Sequence, residues 1–182
     1  MADPAVWAAG WATDAPYGHR RFLLGSALGL SGQLAGDRSL KDRSFAAIRD
    51  GLSRQTAEGV IPEKGGWDSG YQAFSVLYAL DWLEYFQGSG YDAQVRSMLE
   101  HAMAWERTRI LPDGSVDVTG NTRTAGQEHN RDGTVKGVDY GGVLKSFAYW
   151  SVAAQDADAA AKAQLIRRYL QTRAKPLAAA AA

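Results

Sequence analysis

Hydrophobic positions repeat at helical spacing in six stretches of this chain, approximately Arg20–Leu34, Ser39–Thr56, Gly70–Gln87, Asp92–Thr108, Tyr140–Ala154 and Ala157–Arg173. The third and fifth stretches are apolar almost all round. In the third, Phe74, Val76, Leu77, Tyr78, Leu80, Trp82, Leu83 and Phe86 leave only Asp81 and Glu84 as charges, which predicts a helix enclosed by its neighbours. The fourth, with Val95, Met98, Leu99, Ala102 and Met103, and the sixth, with Leu165, Ile166, Tyr169 and Leu170, carry one narrow apolar stripe each. Those two, and the second, are expected outside. The first, with Leu23, Ala27, Leu30 and Leu34, takes an inner place by alternation.

The breaks carry stop and start signals. Gly36-Asp37 and Gly88-Ser89-Gly90 end helices, Asp37, Asp92 and Asp156 or Asp158 suit N-caps, and Ser69-Gly70-Tyr71-Gln72 reads as a capping box. Long polar segments, Thr13–Arg20, Val60–Ser69 and Pro112–Asp139, precede every second helix, whereas the other connections are turns. In an up-and-down array alternate connections fall at the same end, so these three are expected to converge on one face. The expected fold is all-α, with six helices in three antiparallel inner–outer hairpins forming an arc of an (α/α) toroid. A plain six-helix bundle is the alternative. Residues 1–176 are read as a single helical domain and 177–182 as a disordered tail. Ahead of the fifth helix, Val116, Val118, Val135 and Val138 alternate with polar residues, which suits a short β-hairpin or extended flap.

Composition narrows the function classes. The length suits one domain with an ordinary core. There are no cysteines, so disulfides and thiolate metal sites are excluded. Twenty basic residues balance twenty acidic ones, which removes the electrostatic case for nucleic acid or an anionic membrane surface. No stretch reaches the apolar length of a membrane span, and Met1–Asp3 lacks the start of a signal peptide. The chain therefore reads as cytoplasmic or as a mature exported form with an added Met1. The missing cysteines favour the periplasmic or secreted reading. Asp113-Gly114-Ser115-Val116-Asp117 lacks the ligand count of a calcium loop, and no zinc, phosphate, dinucleotide or nucleophile-elbow motif is present. Neither metal nor cofactor is expected.

The candidate chemistry lies in the three long segments. From Gly59 to Gln72, turn formers surround Glu63, Trp67, Asp68 and Tyr71; Gly65-Gly66 opens the backbone and Trp67 offers a flat face for a sugar ring. The same residues have structural readings, since Asp68 or Ser69 would cap the helix, Gln72 would complete the box and Trp67 would fill core. The long loop supplies Asn121, Arg123, Glu128, His129, Asn130, Arg131 and Lys136, a set of donors with a carboxylate and an imidazole. Tyr17 and His19 stand at the entrance to the first helix and Tyr140 at the start of the fifth. His101, within an outer helix, is assigned no chemistry.

Gly18-His19-Arg20-Arg21 leading into a small-residue helix, then Gly51-Leu52-Ser53-Arg54-Gln55 and the segment Gly59 to Gln72, resemble the helical toroid of polysaccharide lyases of the alginate-lyase and heparinase type. The resemblance covers about half the chain. It implies a poly- or oligosaccharide partner, with three hairpins forming only an arc that a homo-oligomer would close. For a lyase acting on uronate polymer, Arg123 or Arg131 with Asn130 would neutralise the carboxylate, and His129, Tyr140 or Tyr71 would act as base and acid. For a hydrolase, Glu63 and Asp68, or Glu128 and Asp139, would form the acid–base pair. The expected catalytic set is Glu63, Asp68, His129 and Tyr140. Tyr17, His19, Trp67, Tyr71, Gln72, Arg123, Asn130, Arg131 and Lys136 are expected to bind substrate. The alternatives are a noncatalytic glycan-binding or exopolysaccharide-assembly component and a helical protein-interaction scaffold, the last marked by a flat apolar patch.

Overall fold

The computed structural model describes residues 3–179, with side chains through residue 173. It is all-helical: α1 (Pro4–Thr13), α2 (Gly18–Ala35), α3 (Arg38–Arg54), α4 (Ser69–Tyr85), α5 (Asp92–Thr108), α6 (Tyr140–Ala153) and α7 (Ala157–Ala179). Six of these occupy the stretches that periodicity predicts. The seventh, α1, has no polar face to contrast with an apolar one, so periodicity does not reveal it. Its start is nonetheless conventional, with Pro4 in the first turn and Asp3 Oδ1 accepting from Ala5 N at 2.8 Å. Arg21 holds it in place, with its guanidinium 3.7 Å from the Trp11 ring centroid and Nη2 donating to the Trp11 carbonyl at 3.0 Å.

The helix α4 packs against α2, α5 and α6, α2 also against α3, and α6 also against α7. This explains the apolar girth of α4. Its Ala73, Val76, Ala79, Trp82 and Leu83 enter one core with Phe22 and Ile48, with Leu99 and Met103 of α5, and with Phe147 and Ile166. A polar link runs through the apolar packing: Trp82 Nε1 donates to Ser44 Oγ at 2.9 Å, which donates to the Gly25 carbonyl at 2.6 Å. The close approach needs glycine, because a Cβ at Gly29 would stand 2.5 Å from the Phe86 ring. The expected enclosure of α6 is not met. It packs chiefly on α4 and α7, leaving Tyr149 and Val152 exposed above a 460 Å³ cleft against the C-terminal half of α4.

Several local expectations change. Asp37 does cap α3, and Asp156 accepts from Ala159 N at the start of α7. Asp92, however, is the first residue of α5, and its Oδ2 accepts from Gly88 N. The capping box is replaced by Asp68, which stands one residue before Ser69 and accepts from Gly70 N and Tyr71 N. The helix α7 extends into the expected tail, whose last three residues, 180–182, lie outside the described residues. Among the described residues there is no strand, and no helix is long and apolar enough to cross a membrane.

The long α5–α6 connection forms two tight turns instead of a hairpin of strands, with isolated bridges at Ile110↔Val116 and His129↔Val135. Each turn has an Asp-Gly pair whose carboxylate accepts from the backbone and hydroxyl of the residue that follows: Asp113 with Ser115 (2.9 and 2.6 Å) and Asp132 with Thr134 (3.0 and 2.7 Å). Short polar side chains thus satisfy turns that strand pairing would otherwise stabilise. Gly114, at φ +86°, sits against the Leu165 backbone of α7, where a Cβ would overlap the carbonyl. Gly114→Ala is expected to lower stability by about 2 kcal/mol or more in urea denaturation, because backbone strain and overlap act together.

Candidate functional site

The long α3–α4 and α5–α6 connections meet at the N-terminal ends of α2 and α4, together with the α1–α2 link; the expected long segment Thr13–Arg20 is reduced to residues 14–17, because α1 and α2 take up the rest of it. Lys64 N donates to the Pro16 carbonyl at 2.7 Å, Thr122 N to the Trp67 carbonyl at 2.9 Å, and isolated bridges pair Tyr17 with Glu63 and Trp67 with Asn121. Asp68 fixes the junction. Its Oδ1 caps α4, while its Oδ2 accepts from Arg123 N at 3.0 Å, Thr124 N at 2.9 Å and Thr124 Oγ1 at 3.1 Å. Asn121 completes the attachment, accepting from Ser69 N at 3.1 Å and donating to Thr124 Oγ1 at 2.7 Å. The first residues of α4 and the loop at 121–124 therefore share one buried polar knot.

Beside that knot lies a linked series of charged and aromatic groups. His19 Nδ1 donates to Glu63 Oε2 at 2.9 Å, and Arg123 Nη1 donates to Glu63 Oε1 at 2.7 Å. Arg123 Nε continues to Glu128 at 3.1 Å, and Glu128 also receives Lys136 Nζ at 2.6 Å and Lys64 Nζ. Tyr71 sits over this series: its ring centroid is 3.8 Å from Arg123 Cζ and 4.6 Å from the His19 ring. Tyr17 stands 4.9 Å from Arg123 Cζ. Glu63, His19 and Arg123 are buried, whereas Tyr17, Tyr71, Glu128 and Lys136 are half-buried.

Electrostatics follow from these contacts. Burial pushes the Glu128 carboxyl up, but hydrogen bonds from Arg123, Lys136 and Lys64 outweigh it and hold the group at about 2. Burial likewise disfavours the Arg123 cation, and its bonds to Glu128 and Glu63 overcome that to hold it above its ordinary value. Lys136 is raised chiefly by its hydrogen bond to Glu128, with partial burial opposing and a bond to Tyr71 adding. Arg123 and Glu128 therefore stay charged across the physiological range.

Of the expected catalytic residues, Glu63 joins the cluster and Asp68 builds the knot beside it. Every Asp68 contact is structural. Tyr140 lies elsewhere, accepting from Val116 N at 3.2 Å and stacking on Tyr169 at 5.1 Å, which anchors the first tight turn. His129 is exposed on the second turn. Among the expected binding residues, Tyr17, His19, Tyr71, Arg123 and Lys136 assemble together. Asn130 and Arg131 remain exposed, and Asn130 Nδ2 donates to Thr134 Oγ1. Gln72 is buried and holds the α3–α4 loop instead, accepting from Ile61 N at 3.0 Å and donating to the Gly59 carbonyl at 2.9 Å. A helical position facing a loop rich in unpaired backbone groups recruits an amide for that purpose. Lys64, the third cation on Glu128, was not singled out, because a lysine between Glu63 and Gly65 looks like an ordinary solvated charge.

Trp67 is 41% exposed, its ring resting on Gly120 with no room for a Cβ there. It opens onto a separate cleft of 340 Å³ bounded by Gly65, Gly66, Pro62, Glu58 and a second indole, Trp105. Trp105 is a further residue that sequence reading passed over, since it falls within an outer helix. Among the described residues no group of three His, Asp or Glu is placed to hold a metal ion.

The arrangement has a chemical bias. Asp68 accepts hydrogen bonds on both oxygens, Glu63 is engaged by His19 and Arg123, Asp139 caps α6, and Glu128 is ringed by cations. None of these carboxylates is placed to deliver a proton. The cations, the imidazole and the phenol of Tyr71 suit anion recognition and proton movement at neutral pH. Comparisons of the chain with family models, with curated proteins and with solved structures found no match.

Two outcomes follow from the buried acids. Asp68→Asn would turn an amide N–H toward the Arg123 and Thr124 donors, so urea denaturation should show a loss of about 3 kcal/mol. Glu106, wholly buried on α5 with neither oxygen hydrogen-bonded, is pushed well above 4.5 by burial; Arg109 partly opposes this and Asp68 adds to it. The unfolded chain therefore sheds this proton first, and the Glu106 contribution to stability falls as pH rises above 4.5. Glu106→Gln should flatten the decline in urea midpoint on the alkaline side of that value.

Proposed function

We propose that this protein acts on an acidic polysaccharide at the face where the α1–α2, α3–α4 and α5–α6 connections meet, by a lyase-like elimination. The observation that carries the reading is the grouping of Lys64, Arg123 and Lys136 around Glu128, with the Tyr71 ring against Arg123 and His19 held by Glu63 behind it. In such a reaction a base removes the C5 proton of a uronate, the electron pair forms the C4–C5 double bond, and the C4–O bond breaks with protonation of the leaving oxygen. Lys64 and Arg123 neutralise the carboxylate and so stabilise the charge that develops at C5. Tyr71 is the proton carrier in this reading, with His19 as its ring neighbour and the Arg123 guanidinium against its face. The exposed indole of Trp67 and its partner Trp105 supply a stacking surface for an adjoining sugar.

The row of α2, α4 and α6, each packed with the helix that follows it, is compatible with an arc of an (α/α) toroid. Hydrolysis is disfavoured by the engagement of Glu63, Asp68, Glu128 and Asp139, the carboxylates expected to form its acid–base pairs. Noncatalytic glycan binding uses the same cations and indoles and is favoured by the near-closure of the cluster, where Arg123 is only 6% exposed.

A panel of acidic and neutral polysaccharides, read by ultraviolet absorbance of unsaturated ends and by reducing-end release, tests the proposal. Tyr71→Phe should lower turnover of the acidic polymer by about a hundredfold or more while preserving binding and thermal midpoint. Trp67→Ala should weaken binding by ~1 kcal/mol with little loss of stability. Binding of an acidic glycan without product, unchanged in Tyr71→Phe, replaces the lyase reading with the binding one.

A further inference from the structure

The segment from Glu128 to Lys136 is a small hairpin closed on itself. Lys136 N donates to the Glu128 carbonyl at 2.9 Å and Asn130 N to the Thr134 carbonyl at 2.8 Å, around the turn at Asp132 and Gly133. His129 through Val135 are all exposed, and none of residues 125–137 enters the core. Its ends are suited to bending. Ala125 and Gly126 have φ of +60° and +91° on one side and Gly137 lies on the other, with open space around both glycines. On the N-terminal side, Arg123 and Thr124 are fastened by Asp68; on the C-terminal side, Asp139 caps α6. The hairpin is thus a separate unit between two fixed points.

What joins it to the body is charge. Glu128 reaches Lys64 and Arg123, and Lys136 approaches the Tyr71 ring at 5.7 Å. The Glu128 carboxylate occupies the position between Lys64, Arg123 and Lys136 that an external carboxylate would need. Removing it takes the carboxylate away from Lys64 and leaves Arg123 with Glu63 alone, the Nε edge of Arg123 unpaired beside Tyr71.

We propose that Glu128 is an internal stand-in for the carboxylate of an acidic ligand, and that the Glu128–Lys136 hairpin is a flap that such a ligand displaces by taking over Lys64 and Arg123. The ligand class is a carboxylate-bearing sugar polymer, which rests on the function proposed above. Exchange of one carboxylate for another keeps both cations paired, so the closed and open arrangements contain equivalent ionic contacts. The Lys136–Glu128 bond lies within the hairpin and travels with it. Apparent affinity is reduced by the fraction of molecules in which Glu128 holds the site, and removal of that competitor restores it.

The test compares the wild-type protein with Glu128→Gln, using oligogalacturonate, a neutral cello-oligosaccharide and inorganic sulfate as probes in titration calorimetry. Amide hydrogen exchange over residues 126–137 is followed in parallel. Oligogalacturonate should bind Glu128→Gln about tenfold tighter than wild type, with the neutral oligosaccharide unaffected. In the wild type, saturating oligogalacturonate should speed exchange in the hairpin; this arm requires no variant and decides the matter if Glu128→Gln fails to fold. Sulfate alone reproducing both effects supports the displaced carboxylate but removes the sugar reading. Equal or weaker anion binding by a folded Glu128→Gln, slower hairpin exchange on binding, or no anion binding to either protein overturns the proposal. Binding of the neutral oligosaccharide with no anion effect would retain a carbohydrate role while overturning the flap.

Discussion

The structure around the site depends on the two oxygens of Asp68. One satisfies the free N–H groups at the start of α4, and the other satisfies those of Arg123 and Thr124 in a connection that has no strand to pair with. A buried carboxylate is costly unless its lone pairs are filled, and here the backbone fills them. The consequence is positional. Tyr71, three residues into the cap of α4, and Arg123, anchored through its own backbone, are brought to 3.8 Å by a single side chain. No helix–helix packing reaches that far along the loop.

From this fixed pair outward, burial declines and charge takes over from packing. Glu63 is engaged by His19 and Arg123 and is buried, Glu128 is held by three cations and is half-buried, and the turn beyond it is exposed. Buried ion pairs add little net stability, because desolvation offsets attraction, yet they set register sharply, since a misplaced charge would be left unpaired. Such a gradient suits a face that must keep its inner groups in place while its rim exchanges partners. The exposed indole of Trp67, on the other side of the 62–67 loop, adds an apolar surface to the same rim.

Much of the helical framework was legible in the sequence because the 3.6-residue period, the Asp caps and the Gly stops are local signals that tertiary packing reinforced. The enclosed α4 and the striped α5 are clear cases. The helix α1 was hidden because it is apolar on all sides and makes its principal attachments through Arg21 and Arg43, which lie elsewhere in the chain. The exposed face of α6 was also hidden. An apolar surface records what a helix is able to bury, whereas only the number of neighbours decides what it does bury.

At the site, the residue types and the convergence of the three polar segments could be inferred from the sequence, although α1 leaves only residues 14–17 of the first as a link. Their roles could not. Gln72, Asp68 and Tyr140 have the side chains of chemistry but hold backbone groups at Ile61, Thr124 and Val116, and only the tertiary structure showed which N–H groups lacked partners. Lys64 became part of the cluster because a residue at φ +50° in a loop aimed its ammonium at a carboxylate 64 positions further on in the chain. The sequence by itself thus determined which segments would be helical and which residues could carry charge near one end of the array. The tertiary structure decided which of those charges are structural and which face one another, because hydrogen-bond satisfaction is a property of the whole fold and periodicity is a property of each segment.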